Sequence, residues 1–328
     1  MTLPRQTLFL LVGLFLLAAL AIALGETALS GAQYRQAFAD PASPPGEILW
    51  GLRAPRVAVA ALVGAALGLS GAVLQGLLRN PLAEPGVLGV SAGGGLGAAL
   101  AIALGLAAAP GAVELAALGG ALAAGALVVV AATRFREPET LILMGVAISA
   151  FGGALTALVF NFSPSPVTSA EVLSWLMGSV ANRDWSDAAW ALPPMAIGLG
   201  LCLHARPGLL MMTLGEETAA LSGLPMARLR AAAVAGAALL TGAAVAASGV
   251  IGFVGLAAPH LVRAGARNDP AAILAPSALA GAALMVAADL VARILPTEVE
   301  LKLGVVTALF GAPLFAAIAW RAARSWRA

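Results

Sequence analysis

Cysteine occurs once in the 328 residues, at Cys202. A lone thiol excludes an internal disulfide framework, a four-cysteine zinc site and an iron–sulfur cluster held within the chain. It reads as a small apolar residue in a helix. Histidine is nearly as scarce: His204 and His260 stand far apart in sequence, which argues against a resident metal or haem. Lysine also occurs once, at Lys302, and Leu301 rather than glycine precedes it. A phosphate-binding loop needs G-x-x-x-x-G-K-[ST], so this chain houses no such loop. Charge itself is thin. Charged residues make up 10% of the chain, against about 25% in soluble domains. The net charge of +2 gives a nucleic-acid partner nothing to hold.

What is present is apolar. Hydrophobic residues make up 61%, or about 200 residues, enough for about ten membrane crossings of roughly 20 residues each. The solvent this composition suits is lipid, and one integral membrane domain, 1–328, accounts for the length. Alanine and glycine are abundant. Small residues let helices approach closely where lipid offers no hydrophobic drive to associate.

Apolar runs and polar breaks place spans at about 7–25, 55–78, 88–107, 113–133, 140–161, 187–204, 230–248, 258–267, 271–293 and 304–321. The first apolar run is longer than the roughly 7–15 residues of a signal peptide's core. It reads as an uncleaved span with its N-terminus in the cytoplasm. Placing both termini inside puts twelve of the 18 Lys and Arg residues on the cytoplasmic side, as the positive-inside rule requires. The expected fold is all-α and integral to the membrane, with ten transmembrane helices.

The eighth span is too short to cross. "SGVIGFVGLAAPHLVRAG" has Pro259 at its middle, so irregular backbone enters the membrane there, packed in protein or lining a cavity. A weak echo accompanies it. Ser70–Gly71 precede Pro81 by the spacing at which Ser248–Gly249 precede Pro259. Spans 2–5 and 7–10 would then form two inverted-repeat-like halves; coincidence in Ala/Gly-rich sequence is the competing reading.

"RAPRVAVAALVGAALGLSGAVLQGLLRNPLAEPGVLGVSAGGGLG" (53–97) resembles the FecCD/BtuC family, permease subunits of type II ABC importers for ferric siderophores, haem and cobalamin. So do "LGEETAALSGLP" (214–225), "GVIGFVGLAAPHLVR" (249–263) and "LGVVTALFGAPLF" (303–315). The resemblance covers nearly the whole chain. It implies ten helices per subunit and a bacterial inner-membrane location with both ends cytoplasmic. It implies a homodimer, two separate ATPase subunits carrying ATP and Mg, and a periplasmic binding protein. No cofactor is implied in this chain, which forms and breaks no covalent bond. The transport pathway would lie on the dimer axis, lined by spans 3, 5 and 10. The cargo stays open among ferric siderophore, haem and cobalamin.

The site residues follow from the same resemblance. Asn80 and Leu82, beside a turn fixed by Pro81 and Pro85, match the family's cytoplasmic gate; the alternative is a plain helix–helix turn. The second gate loop, "REPETL" (136–141), departs from the family pattern at Pro138–Glu139. Leu214, Gly215, Glu216, Glu217, Ala220, Gly223, Leu224 and Pro225 match the ATPase-coupling loop. There the two glutamates suit a helix N-terminus, and Gly223 and Pro225 end one short helix and start another. Arg53, Arg56 and Arg293 match arginines that dock the binding protein; the alternative is a set of snorkelling anchors. Lys302 has no assigned role. Asp289 lies inside a span, four residues before Arg293, the spacing of a helix ion pair. The rival function is a secondary transporter driven by an ion gradient, for which Asp289 is the one buried acid in view.

Overall fold

The computed structural model describes residues 5–25, 27–135, 138–263, 269–295 and 300–325. Among these the regular elements are helices. The main ones are α1 (Arg5–Ala23), α2 (Gly31–Ala39), α3 (Ala54–Leu77, entered through a π-helical stretch Glu47–Arg53), α4 (Val90–Ala103), α5 (Ala112–Arg134), α6 (Pro138–Asn161) and α7 (Pro166–Leu176). Then follow α8 (Trp185–Met211), α9 (Glu216–Leu221), α10 (Met226–Ser248), α11 (Val254–Val262), α12 (Leu274–Ile294) and α13 (Leu303–Ser325).

Each expected span falls on a helix, but the helices differ in reach. Among the described residues seven helical segments are long and apolar enough to cross a membrane: α1, Pro44–Leu77, α5, Glu139–Asn161, Trp185–Leu214, α10 and α12. Val90–Ala103 and Leu303–Ala317 are shorter apolar helices. The nine residues of α11 reach only about 14 Å.

Three boundaries differ from expectation for visible reasons. The third span ends at Ala103 because the chain turns left-handed at Gly105 (φ 75°). The eighth begins at Val254, four residues early, since Phe253 (φ 67°) forms the break before it. Its expected end at 264–267 lies outside the described residues. After Gly223 no second short helix forms: Pro225 leads directly into the long α10. The Ser–Gly…Pro echo also lands on unlike structures. Ser70–Gly71 sit in the middle of α3, with Pro81 in a turn beyond it. Ser248–Gly249 close α10, with Pro259 inside α11.

Two helices form the centre. α3 and α10 are mostly buried, and Ser70 Oγ lies 3.0 Å from Thr241 Oγ1 between them. Backbones meet directly around this pair. A methyl group at Gly64 or Gly281 would fall on the other's carbonyl oxygen, one at Gly68 on that of Ser277, and one at Gly71 on that of Gly255. These contacts draw α12 and α11 onto α3. Gly93 and Gly120 do the same for α4 and α5. Such approach distances require glycine and give the dispersion contacts that hold helices together in lipid. α1 and α6 lie outside, presenting Phe9, Phe15, Leu143 and Phe151.

α8 starts at a capping box. Asp184 accepts from the Ser186 and Asp187 amides, and Asp187 returns a bond to the Asp184 amide. The Ser186 hydroxyl, with these amides, holds the Asp184 carboxyl below the usual range.

Candidate functional site

One end of the bundle carries Arg56, the other Glu216. At the Arg56 end two arginines, Arg56 and Arg293, meet one buried acid, and Arg53 lies on the same rim. Asp289 Oδ1 accepts from Arg56 Nε (2.9 Å) and Nη2 (2.7 Å), and Arg293 Nε lies 3.1 Å from Oδ2. Asp289 is wholly buried. Arg56 also pairs with Glu300, including a 3.2 Å bond from Nη1 to Oε2. Arg53 donates from Nη1 to the Ala23 carbonyl (2.7 Å) and from Nη2 to Thr27 O, and Arg293 Nη2 donates to Ala21 O (3.1 Å). The last carbonyls of α1 lack helical partners, and these two arginines satisfy them.

The expected helix pair of Asp289 and Arg293 is therefore present, with Arg56 as a second partner that sequence spacing did not reveal. Arg53 and Arg293 do not stand as free rim cations. Each is 6% exposed and bound to main-chain oxygens, whereas Arg56 is half-buried and keeps some open surface. A polar basin of about 520 Å³ is lined by Glu114, Glu171, Arg183 and Lys302.

Two apolar hollows open on the flank of the bundle. One, about 610 Å³, lies along α13 from Gly304 to Pro313. The other, about 400 Å³, lies between α4 and α6, at Ser91, Gly95, Gly153 and Thr156. Leu176, from the end of α7, and Val250, from the α10–α11 link, line both. The helices lining them are the third, fifth and tenth expected spans. Small side chains leave the room.

The turn after α3 is fixed by its own residues. Asn80 Oδ1 accepts from the Leu82 amide (2.9 Å), and the Ala83 amide donates to Asn80 O (3.1 Å), a side-chain-stabilised turn of the kind asparagine favours. Gln75 of α3 donates to Ala83 O (3.3 Å) and accepts from Arg263 at the end of α11. Asn80 and Leu82 are half-buried. Glu84, which the sequence reading passed over, accepts the Phe253 amide at 2.6 Å. Its signal was its type: one carboxylate between two prolines in an apolar chain. In the link before α6, residues 136 and 137 lie outside the described residues, and Pro138 opens the helix.

At the Glu216 end, α9 protrudes. Glu217, Ala220, Gly223 and Pro225 are exposed, and Leu214 and Leu221 are 64% and 89% exposed. Leu221 is an addition to the expected set; an apolar residue on a short acidic helix was its signal. Gly215 (φ 97°) and Gly223 (φ 87°) hold conformations that only glycine adopts cheaply, with open space around them. The Gly223 amide caps onto Ala220 O and the Leu224 amide onto Ala219 O, closing the helix. Glu216 is not free: it pairs with the buried Arg230 of α10, which also donates to Phe135 O at the end of α5 (3.1 Å). The helix is thus fixed at its base to α10 and α5, with its tip left bare.

An all-helical bundle with seven described segments long and apolar enough to cross a membrane reads as an integral membrane protein, and the comparisons supply its class. The FecCD transport family model matches residues 10–321, so the chain belongs to that family. It is 41% identical over 284 residues to the vitamin B12 import system permease protein BtuC of Escherichia coli O157:H7 (strain EC4115 / EHEC), covering 86% of each chain. It is 40% identical over 313 residues to the BtuC protein of Shigella boydii serotype 18 (strain CDC 3083-94 / BS512), covering 95% of this chain and 94% of that one. A solved, inward-facing ABC transporter assigned to the metal-chelate type aligns with a TM-score of 0.86 and 31% identity. That alignment covers 97% of this chain and all of the other.

Proposed function

We propose that this chain is the permease subunit of an ATP-driven importer in the bacterial inner membrane, and that its cargo is cobalamin. The observation that carries the reading is the match to vitamin B12 import permeases along 86% of the chain or more. Cobalamin is itself a metal chelate, which agrees with the class of the solved neighbour. Ferric siderophores and haem are the competing cargoes.

In this reading all ten helices at the expected spans are inserted, in two inverted halves, with both termini cytoplasmic. Two copies of the chain face each other, and the hollows along α4, α6 and α13 join on the axis as a wide, weakly binding path. Two partner ATPase subunits supply ATP hydrolysis and engage α9 through Leu214, Gly215, Glu217, Ala220, Leu221 and Gly223. Leu224 and Pro225 set the exit of that helix. Closure of the ATPases pushes on α9, and the Glu216–Arg230–Phe135 link passes the push to α10 and α5. Asn80 and Leu82 form the cytoplasmic gate. At the opposite end a periplasmic binding protein docks on Arg56, with Arg53 and Arg293 as the framework holding that rim.

The test is uptake into proteoliposomes carrying the chain, an ATPase subunit and a binding protein. Labelled cobalamin should enter with ATP inside the coupling compartment, and ferric siderophore and haem should not. Uptake that needs no ATPase and collapses with an ionophore would favour the ion-gradient transporter instead.

A further inference from the structure

The elements around the two hollows are tied to one another in two ways. Toward the Arg56 end the ties are main-chain bonds. The Gly304 amide donates to Met177 O (3.0 Å), and the Ser179 amide donates to Ser248 O (2.7 Å). They join α13, the α7–α8 link and the end of α10. Elsewhere the turn leading into α4 meets the start of α11 through a side chain: Glu84 Oε1 accepts the Phe253 amide at 2.6 Å. Pro85 packs beside it on Gly255.

Phe253 has two unusual features. Its φ of 67° is left-handed, a costly conformation for a bulky residue. It also packs against α13, the helix whose Gly304–Pro313 stretch lines the larger hollow, because a methyl group at Gly311 would collide with its Cβ and ring. Strain of this kind persists only where neighbours hold it. Glu84 is such a neighbour, and its charge suits the N-terminus of α11. One line of contacts therefore runs from the turn bearing Asn80 and Leu82, through Glu84 and Phe253, to Gly311.

We infer that Glu84 is a positioning residue for transport: its carboxylate holds the strained start of α11 against α13, so that movement of the Asn80–Leu82 turn reaches the far wall of the path. Main-chain ties fix a wall, whereas a carboxylate on a turn lets go and re-forms as the turn moves. The inference rests on the proposed transport function, because it needs the hollows to be a path.

The experiment uses the full chain assembled with its ATPase and binding protein in proteoliposomes, with cobalamin as probe. Glu84→Ala should lower cobalamin moved per ATP hydrolysed about tenfold, the loss of one charge-assisted bond. Glu84→Gln, whose amide oxygen accepts the same N–H, should stay within about threefold. Hydrogen exchange at the Phe253 amide should quicken in Glu84→Ala and not in Glu84→Gln. Should Glu84→Ala fail to assemble, Glu84→Asp withdraws the carboxylate by one methylene and should lower the ratio in its place. A ratio unchanged in both Ala and Asp variants overturns the inference. So does a parallel fall of ATPase, uptake and melting temperature in all three variants, which marks a merely structural role. If the unaltered protein takes up no cobalamin with ATP, the proposed function fails. The tie is then judged by exchange alone, and unchanged protection of the Phe253 amide in Glu84→Ala overturns it.

Discussion

Asp289 shows how much a residue's meaning depends on its neighbours. An acid inside an apolar helix reads first as a proton or ion site. Here its carboxylate is enclosed by Arg56 and Arg293, and the arginines are in turn fixed to Glu300 and the end of α1. Removing one member of a buried charge group leaves the rest uncompensated, at about 3–5 kcal/mol. Asp289→Ala should therefore lower the thermal melting point of the purified protein sharply, by far more than alanine substitution of an exposed acid such as Glu217. A melting curve like the parent's would show that the cluster adds nothing to stability. Glu300 offers a second test at this scale. It holds Arg56 from a half-exposed position, so it competes with any acidic partner. Glu300→Gln should tighten binding-protein association about threefold, the worth of a partly exposed ion pair, and the gain should shrink with added salt. Association that ignores the substitution would leave Arg56 a purely internal residue.

The proposed coupling loop makes its sense as an element. α9 has only six residues, too few for stability on propensity alone. It survives because Glu216 is bound to Arg230 at its base and Gly223 caps its end. What it leaves outward is the material of a docking knob: Leu214 and Leu221, with little else to cover them. Gly223→Trp should abolish co-purification of the ATPase subunit, since a large side chain in a packed interface overfills it. Gly223→Ala brings the same left-handed strain, about 1 kcal/mol, without the bulk. It should lower the melting point slightly and keep the ATPase bound. Equal loss in both variants would assign the effect to strain in the loop, and retention in both would remove the loop from the interface.

For the whole molecule the proposed pairing of two copies is testable at the gate. The half-buried turn at Asn80–Leu82 belongs to a gate only if its twin lies opposite. With Cys202→Ala removing the other thiol, Leu82→Cys should cross-link to the second copy when the gate is shut, because a disulfide forms only if the two Cα atoms come within about 7 Å. The yield should change with nucleotide, as expected of a two-state assembly. No cross-link in any nucleotide state, while controls elsewhere on the axis react, would leave the turn as a turn.

Composition and run length together pointed to the solvent and the class of fold, because 61% apolar and 10% charged residues, gathered in runs of about 20, suit helices in lipid. The sequence also located a helix at each expected span, but not α2 or α7, which lie between spans. Apolar runs and Pro/Gly breaks are local features, and helices are local objects. The motifs around Asn80 and Gly223 gave the candidate gate and coupling residues through resemblance. The tertiary structure decided what those positions touch. That Arg53 and Arg293 close α1, that Arg56 shares Asp289, and that Glu84 reaches Phe253 are pairings across 26 to 272 residues of chain. Glycine spacing shows that two helices can approach, but not which two. That choice is made by where a carbonyl on one backbone finds a missing side chain on another, as Gly64 and Gly281 do.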